Sequence, residues 1–275
     1  VSFPENPEKI PPVLLVGAGR MGGAMFAGWC ARGLAPSVLI DPSAQPGLAR
    51  EKIDFLVSEP DEIPGNFQPS AVILAIKPQM AEAVLPGLAP NLPATAVVLS
   101  ILAGKPIARL AALLGTQNPI IRAMPNTPAA IGQGISAAFA GPGVTAAQKA
   151  LCNTLLEAVG ESVWLDSEDL IDPVTAVSGS GPAYVFLLAE ILEQAAIERG
   201  LPPAIARQLA RKTVSGSGAL LAASDEDAAA LRRAVTSPNG TTERALSVLM
   251  APDAWPANLR AAVLAAEQRA RELAG

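Results

Sequence analysis

Between Val13 and Leu165, short runs of apolar and β-branched residues (VLLVG, SVLID, AVILAIKP, AVVLSI, NPIIRAM, GISAAFA and SVWLD) are separated by stretches with helical spacing. That alternation leaves few folds open. A strand apolar on both faces must be covered on both, and an intervening helix returns the chain to begin the next strand in the same direction. The expected architecture over residues 1–165 is an α/β, Rossmann-like domain, a mostly parallel sheet with helices on both faces. Past Leu165 the strand signal ends. Residues from about Glu168 to Ala274 read as long apolar-periodic helices, broken at SGSGP, at RGLPP, near LAASDED and at SPNGTT. A second, all-helical domain is therefore expected over 166–275.

The helical part carries more apolar surface than it can cover. AVSGSGPAYVFLLAEILEQAA is apolar on more than one face, and so requires burial on both sides. About a hundred residues in a few helices offer little interior for it. A homodimer through this domain is expected, in preference to a self-contained bundle.

Composition mainly excludes. Half of the 275 residues are hydrophobic, 16% are charged and the net charge is -5, so neither nucleic acid nor an anionic membrane surface is a favoured partner. No apolar run reads as a convincing membrane span. The chain has no histidine, which removes Ser-His-Asp hydrolysis, histidine-ligated zinc and dehydrogenases with a histidine acid/base. Cys30 and Cys152 lack metal-ligand spacing and read as two buried free thiols, which fits a reducing cytoplasm. The opening VSFPENPEKIPP is polar and proline-rich and reads as a frayed lead-in, not a signal peptide.

VLLVGAGRMGGAM sets Gly17, Gly19 and Gly22, with Ala18, Arg20 and Met21 between them, directly after a strand and before a helix. The first glycine permits the tight turn, the second lets backbone approach a pyrophosphate, and the third lets helix pack on strand. The pattern alone is weak, but here it follows the first strand of a βα series, and SVLID ends on an acid, Asp41. A carboxylate there accepts hydrogen bonds from a ribose diol and repels a phosphate on that ribose, which leans to NAD. Ser43 and Arg20 are placed to contact an added phosphate, so NADP stays open, and Asp41 also reads as a turn acid before Pro42. Ligands of open α/β sheets lie outside the carboxyl ends of the strands. Further cofactor contacts are therefore expected from Ala75, Ile76, Lys77 and Pro78, from Ala103, and from Met124, Pro125 and Asn126.

VTSPNGTTERAL, residues 235–246, gathers hydroxyls, an amide, a proline and a glycine at one joint between helical runs. Such a cluster is a turn by composition. Taken with GAGRMGGAM, AIKPQ, RAMPNTPAAIGQG and DLIDPVTAVSGSGPAYVFLLAEIL, in that order over nearly the whole chain, it closely resembles the Δ1-pyrroline-5-carboxylate reductases. SGSGPAY opening a helix and SP-x-GTT downstream are the specific motifs; the glycine pattern is shared by many enzymes.

The resemblance implies hydride transfer from a reduced nicotinamide, NADP or NAD, to the C=N carbon of 1-pyrroline-5-carboxylate, giving L-proline in the last step of proline biosynthesis. It also implies homodimers that interlock their helical domains and often assemble into decamers. Carried over, Ser237, Asn239, Gly240, Thr241 and Thr242 hold the substrate carboxylate, with Thr242 nearest the ring nitrogen as the catalytic contact. Glu168 matches a position near bound proline in some members; by itself it reads equally as a solvated acid in a first helical turn. One departure is visible, since Asn239 replaces the first of two glycines usual in the family. Asparagine tolerates positive φ best among non-glycine residues, so the loop shape survives while the pocket narrows.

The chemistry suits a chain without imidazole. An imine takes a proton from water to become an electrophilic iminium, so reduction needs positioning and a hydrogen bond more than a strong acid. Two other readings stand beside it. A β-hydroxyacid dehydrogenase pairs similar domains but needs a base, typically a lysine on the helix after the cofactor domain, and residues 170–199 contain none. A nicotinamide-binding sensor without turnover would bind NADPH and leave its absorbance unchanged when the imine is added.

Overall fold

The computed structural model describes residues 10–43 and 53–274; the first nine residues of the proline-rich lead-in lie outside them. Contacts divide the chain into two compact units, one running up to Gly179 and regaining the C-terminal stretch from Glu267, the other Ser180–Ala266.

In the first unit eight strands form one sheet: β1 (Val13–Val16), β2 (Ser37–Ile40), β3 (Ile53–Val57), β4 (Ala71–Leu74), β5 (Val97–Ser100), β6 (Ile120–Met124), β7 (Gly134–Ala140) and β8 (Gly160–Trp164). Their order is β3-β2-β1-β4-β5-β6-β7-β8. All neighbours are parallel except β6 and β7. The central strands send alternate residues to opposite faces, as the pleat requires. Val13 and Leu15, Ala71 and Ile73, Val97 and Leu99 meet α1 (Arg20–Ala31) and α4 (Ala146–Glu157) through Phe26, Trp29 and Leu155. Leu14 and Val16, Val72 and Leu74 meet α2 (Ala81–Leu88) and α3 (Ile107–Leu114) through Leu85, Leu88 and Leu110. Trp29 is fully buried, and its indole N–H donates to the Leu155 carbonyl at 2.8 Å.

Three details depart from the sequence reading. IDFLV, not read as a strand, forms β3, an edge strand with Phe55 and Leu56 about half exposed; an edge strand is covered less than the central ones, and Asp54 interrupts the apolar run that marked them. Cys30 is half-buried, and only Cys152 is fully buried. A further helix break falls at Ala251–Ala254, around Pro252.

α5 (Ile171–Val174) and a π turn over Thr175–Gly179 close the main run of the first unit. The second unit contains α6 (Gly181–Glu198), α7 (Pro203–Ala223), α8 (Ala228–Ala234), α9 (Thr241–Leu249) and most of α10 (Trp255–Ala274). The RGLPP break turns on Gly200 at φ +91°, and Pro203 opens α7, where its missing N–H costs nothing. Along α6, Val185, Phe186, Leu187 and Ile191 are about half exposed or more. By length and composition alone, Glu168–Glu198 would suffice to cross a membrane, a test that helices of soluble proteins also pass.

Candidate active site

Strand register builds a crevice in the first unit. Val16 is level with Ile40 on one side and Leu74 on the other, and Leu74 is level with Ser100. The next residues, Gly17, Asp41, Ala75 and Ile101, therefore line one edge of the sheet. It is also where strand order reverses, with β2 and β3 added on one side of β1 and β4 onward on the other; in such sheets this crevice takes the ligand.

The three glycines meet the three demands of a dinucleotide turn. Gly17 has φ +95°, and a Cβ there would lie 2.8 Å from the Ala75 carbonyl oxygen. A Cβ on Gly22 would run into the Gly17 carbonyl. A Cβ on Gly19 would meet nothing within 4 Å. The first and third glycines are thus fixed by packing, and the second presents bare backbone to open space. Gly19 starts α1 without a side-chain cap, so the positive end of a twelve-residue helix has no internal acceptor from a side chain. Arg20 and Ser43 are exposed beside it and Met21 is half-buried.

Asp41 turns toward the protein. Its Oδ2 accepts the Ala18 N–H at 2.7 Å and its Oδ1 the Ser43 N–H at 2.7 Å. The acid expected at a ribose is therefore also a tether on the glycine loop. Past β4, Ala75, Ile76 and Pro78 are half-buried and Lys77 is exposed; Ala103 is half-buried on the loop after β5. Met124 ends β6, Pro125 is buried, and the Asn126 side-chain oxygen accepts the Ile135 N–H at 2.9 Å, bracing the turn into β7.

Glu168 does not stand in solvent. One carboxylate oxygen accepts the Ile107 N–H at 2.8 Å, at the start of α3, and pairs with Arg122 at 3.2 Å. Arg122 also pairs with Asp172 at 3.1 Å. It is 3% exposed, and its Nε has no partner among the described residues. Arg122 and Asp172 were missed in the sequence, although an arginine inside the apolar run IIRAM was the available signal.

In the second unit the polar joint is a tight turn feeding α9. The Gly240 N–H donates to the Ser237 carbonyl at 3.0 Å. A Cβ on Gly240 would sit 2.5 Å from Ser237 Oγ, so this glycine is fixed by packing. Asn239 holds φ +58°, the positive value expected of it, and among the described residues it is the only non-glycine to do so. Its N–H donates to Glu243 Oε2 at 2.8 Å. α9 has no side-chain cap. Among the described residues, the Thr241 and Thr242 amides and the Ser237, Thr241 and Thr242 hydroxyls have no hydrogen-bond partner. Uncapped first-turn amides and three free hydroxyls form a donor set suited to a carboxylate.

A family model described as pyrroline-5-carboxylate reductase dimerisation matches residues 168–273, and one described as NADP oxidoreductase, coenzyme F420-dependent, matches residues 12–104. The chain is 42% identical over 270 residues to the pyrroline-5-carboxylate reductase of Pseudomonas aeruginosa, covering 96% of this chain and 97% of that one. It is similar to the crystal structure of a pyrroline carboxylate reductase from Plasmodium falciparum with NADP bound, with TM-score 0.83, 27% identity and coverage of 96% and 98%. A pyrroline-5-carboxylate reductase from Coxiella burnetii matches with TM-score 0.83 and 32% identity over the same shares.

Proposed function

The chain belongs to the pyrroline-5-carboxylate reductase family, and we propose that it uses NADPH or NADH to reduce the C=N bond of 1-pyrroline-5-carboxylate, giving L-proline in the last step of proline biosynthesis. The observation that carries this reading is the unspent donor set at the start of α9, backbone amides and hydroxyls that form a cradle for a carboxylate.

The bound dinucleotide supplies the hydride. The chain's own part is to hold and orient. Gly17, Ala18, Gly19, Arg20, Met21 and Gly22 seat the pyrophosphate, Asp41 and Ser43 border the ribose, and Ala75, Ile76, Lys77, Pro78, Ala103, Met124, Pro125 and Asn126 wall the crevice along the strand ends. Ser237, Gly240, Thr241 and Thr242 hold the substrate carboxylate, and Asn239 shapes their loop. The Thr242 hydroxyl hydrogen-bonds the ring nitrogen, whose proton comes from water before the hydride arrives at the carbon. Glu168 stays in the substrate's surroundings, held in place by Arg122.

The helical part, from Asp166 onward, is assigned to substrate binding and dimerisation; the dimerisation match over 168–273 and the exposed apolar row on α6 support it. Assembly of dimers into decamers and a cytoplasmic location complete the reading, the latter in keeping with two cysteines that form no disulfide among the described residues. The experiment is a coupled one: NADPH absorbance should fall when the imine is added, with proline formed one for one. Binding of NADPH without turnover of the imine would overturn it.

A further inference from the structure

We propose that Glu243 is a positioning residue of the carboxylate cradle: by taking the Asn239 amide, it fixes the loop in the shape that leaves the Thr241 and Thr242 amides free for substrate.

An acid at the third position of a helix ordinarily reaches back to the amide of the capping residue. Here that amide, on Gly240, is already spent on the Ser237 carbonyl at 3.0 Å. The Glu243 carboxylate reaches one residue further and accepts from Asn239 at 2.8 Å. Two consequences follow from the position of that bond. It closes over the one non-glycine residue held at positive φ among the described residues. It also disposes of the charge of Glu243 itself. A carboxylate in the first turn is drawn to the helix's unpaired amides and would compete there with the carboxylate of a ligand; bonded to Asn239, it is drawn off from them.

Ser237, Thr241 and Thr242 each carry a hydroxyl near the start of α9, and none caps it. Among the described residues, the one side chain bonded to an amide of residues 237–242 is Glu243, and it takes the amide outside the helix. Stabilisation is thus supplied from the side that leaves the helix's own donors unspent.

The role rests on the loop being the carboxylate cradle proposed above, and the test separates the two. Glu243→Ala, Glu243→Gln and Thr242→Val are made in the full chain and compared with wild type for imine kinetics, dinucleotide Kd and thermal midpoint. Glu243 is exposed, and its replacement is expected to leave the midpoint nearly unmoved. Loss of one hydrogen bond to a charged acceptor in this setting predicts a rise of about 5- to 10-fold in KM for the imine with Glu243→Ala, with kcat and dinucleotide Kd within about twofold. Glu243→Gln keeps the acceptor and loses the charge, so it recovers most of that loss. An unchanged or lowered KM with Glu243→Ala, or equal damage from Gln and Ala, overturns the latch; a lowered KM would mean that the charge repels the substrate. If Thr242→Val raises KM or lowers kcat and Glu243→Ala does nothing, only the latch fails. If neither variant changes imine kinetics, the cradle fails and the latch with it.

Discussion

Asp41 offers the sharpest test of how the dinucleotide turn is held. Its carboxylate serves two amides at 2.7 Å each, one on Ala18 within the glycine turn and one on Ser43 in its own turn. Only the first bears on the shape of the pyrophosphate seat. A hydrogen bond to a charged group is worth roughly 1.5–3 kcal/mol, and this one is only part-buried, so the low end of about 1.5 kcal/mol applies. Asp41→Ala should then weaken every dinucleotide by about tenfold in Kd through the loosened turn. A second effect divides the cofactors. Removing the acid takes an acceptor from the ribose diol of NADH and repulsion from the phosphate of NADPH. NADH should therefore lose more than tenfold and NADPH less, with the ratio shifting toward NADPH. Asp41→Asn keeps one neutral acceptor for two amides and should fall between wild type and Ala. Fluorescence titration of both reduced cofactors measures all three proteins. Loss of the repulsion named in the sequence reading would by itself spare or improve NADPH; the Ala18 bond changes that to a loss with both. Improved NADPH affinity, or no change with either cofactor, would refute the tether.

Thr242→Val should cost about one charged hydrogen bond, roughly 1.5–3 kcal/mol or about 10- to 150-fold in the second-order rate constant for the imine, with dinucleotide affinity unmoved; a loss below about threefold at every pH removes Thr242 from the site. Val185→Asp on the exposed row of α6 should leave the first unit folded and abolish self-association, because a charge at an apolar contact must be desolvated without a partner; light scattering that still finds an oligomer refutes an interface there. Burial pushes the Cys152 thiol up from 9.0 to about 12. A pKa raised on folding contributes stability that is whole below about pH 9 and is lost as pH climbs toward 12, so the urea midpoint of wild type should fall across that window and that of Cys152→Ala should fall less.

What the sequence made legible follows from the kind of signal each feature leaves. β1, β4 and β5 are buried on both faces, and their unbroken apolar runs say so; β3 is an edge strand with Phe55 and Leu56 about half exposed, and IDFLV resembles many loops. The break at Ala251–Ala254 falls within a run apolar enough to pass as continuous helix, with Pro252 its one clear mark. The glycine turn was legible residue by residue, because close approach and open backbone are demands that only glycine meets.

The acids were not legible in that way. Spacing put Asp41 at a strand end and Glu168 at a helix start, and both positions are correct, yet spacing does not say where a carboxylate points. Asp41 faces two amides, and Glu168 faces an amide and an arginine 46 residues away, a partner that only the sheet topology brings near. Ligand binding in this chain is accordingly better inferred from donors left unspent than from charges left in view. A charged side chain beside backbone amides lowers its free energy by bonding them and ceases to be available, whereas an uncapped helix start cannot satisfy itself. α1 and α9 each have a glycine as capping residue, Gly19 after a glycine-rich turn and Gly240 after a polar one, and both lack a side-chain cap. The proposed reaction requires an anion at each, a pyrophosphate at the first and a carboxylate at the second, and at both the capping residue is the one that cannot supply the acceptor itself.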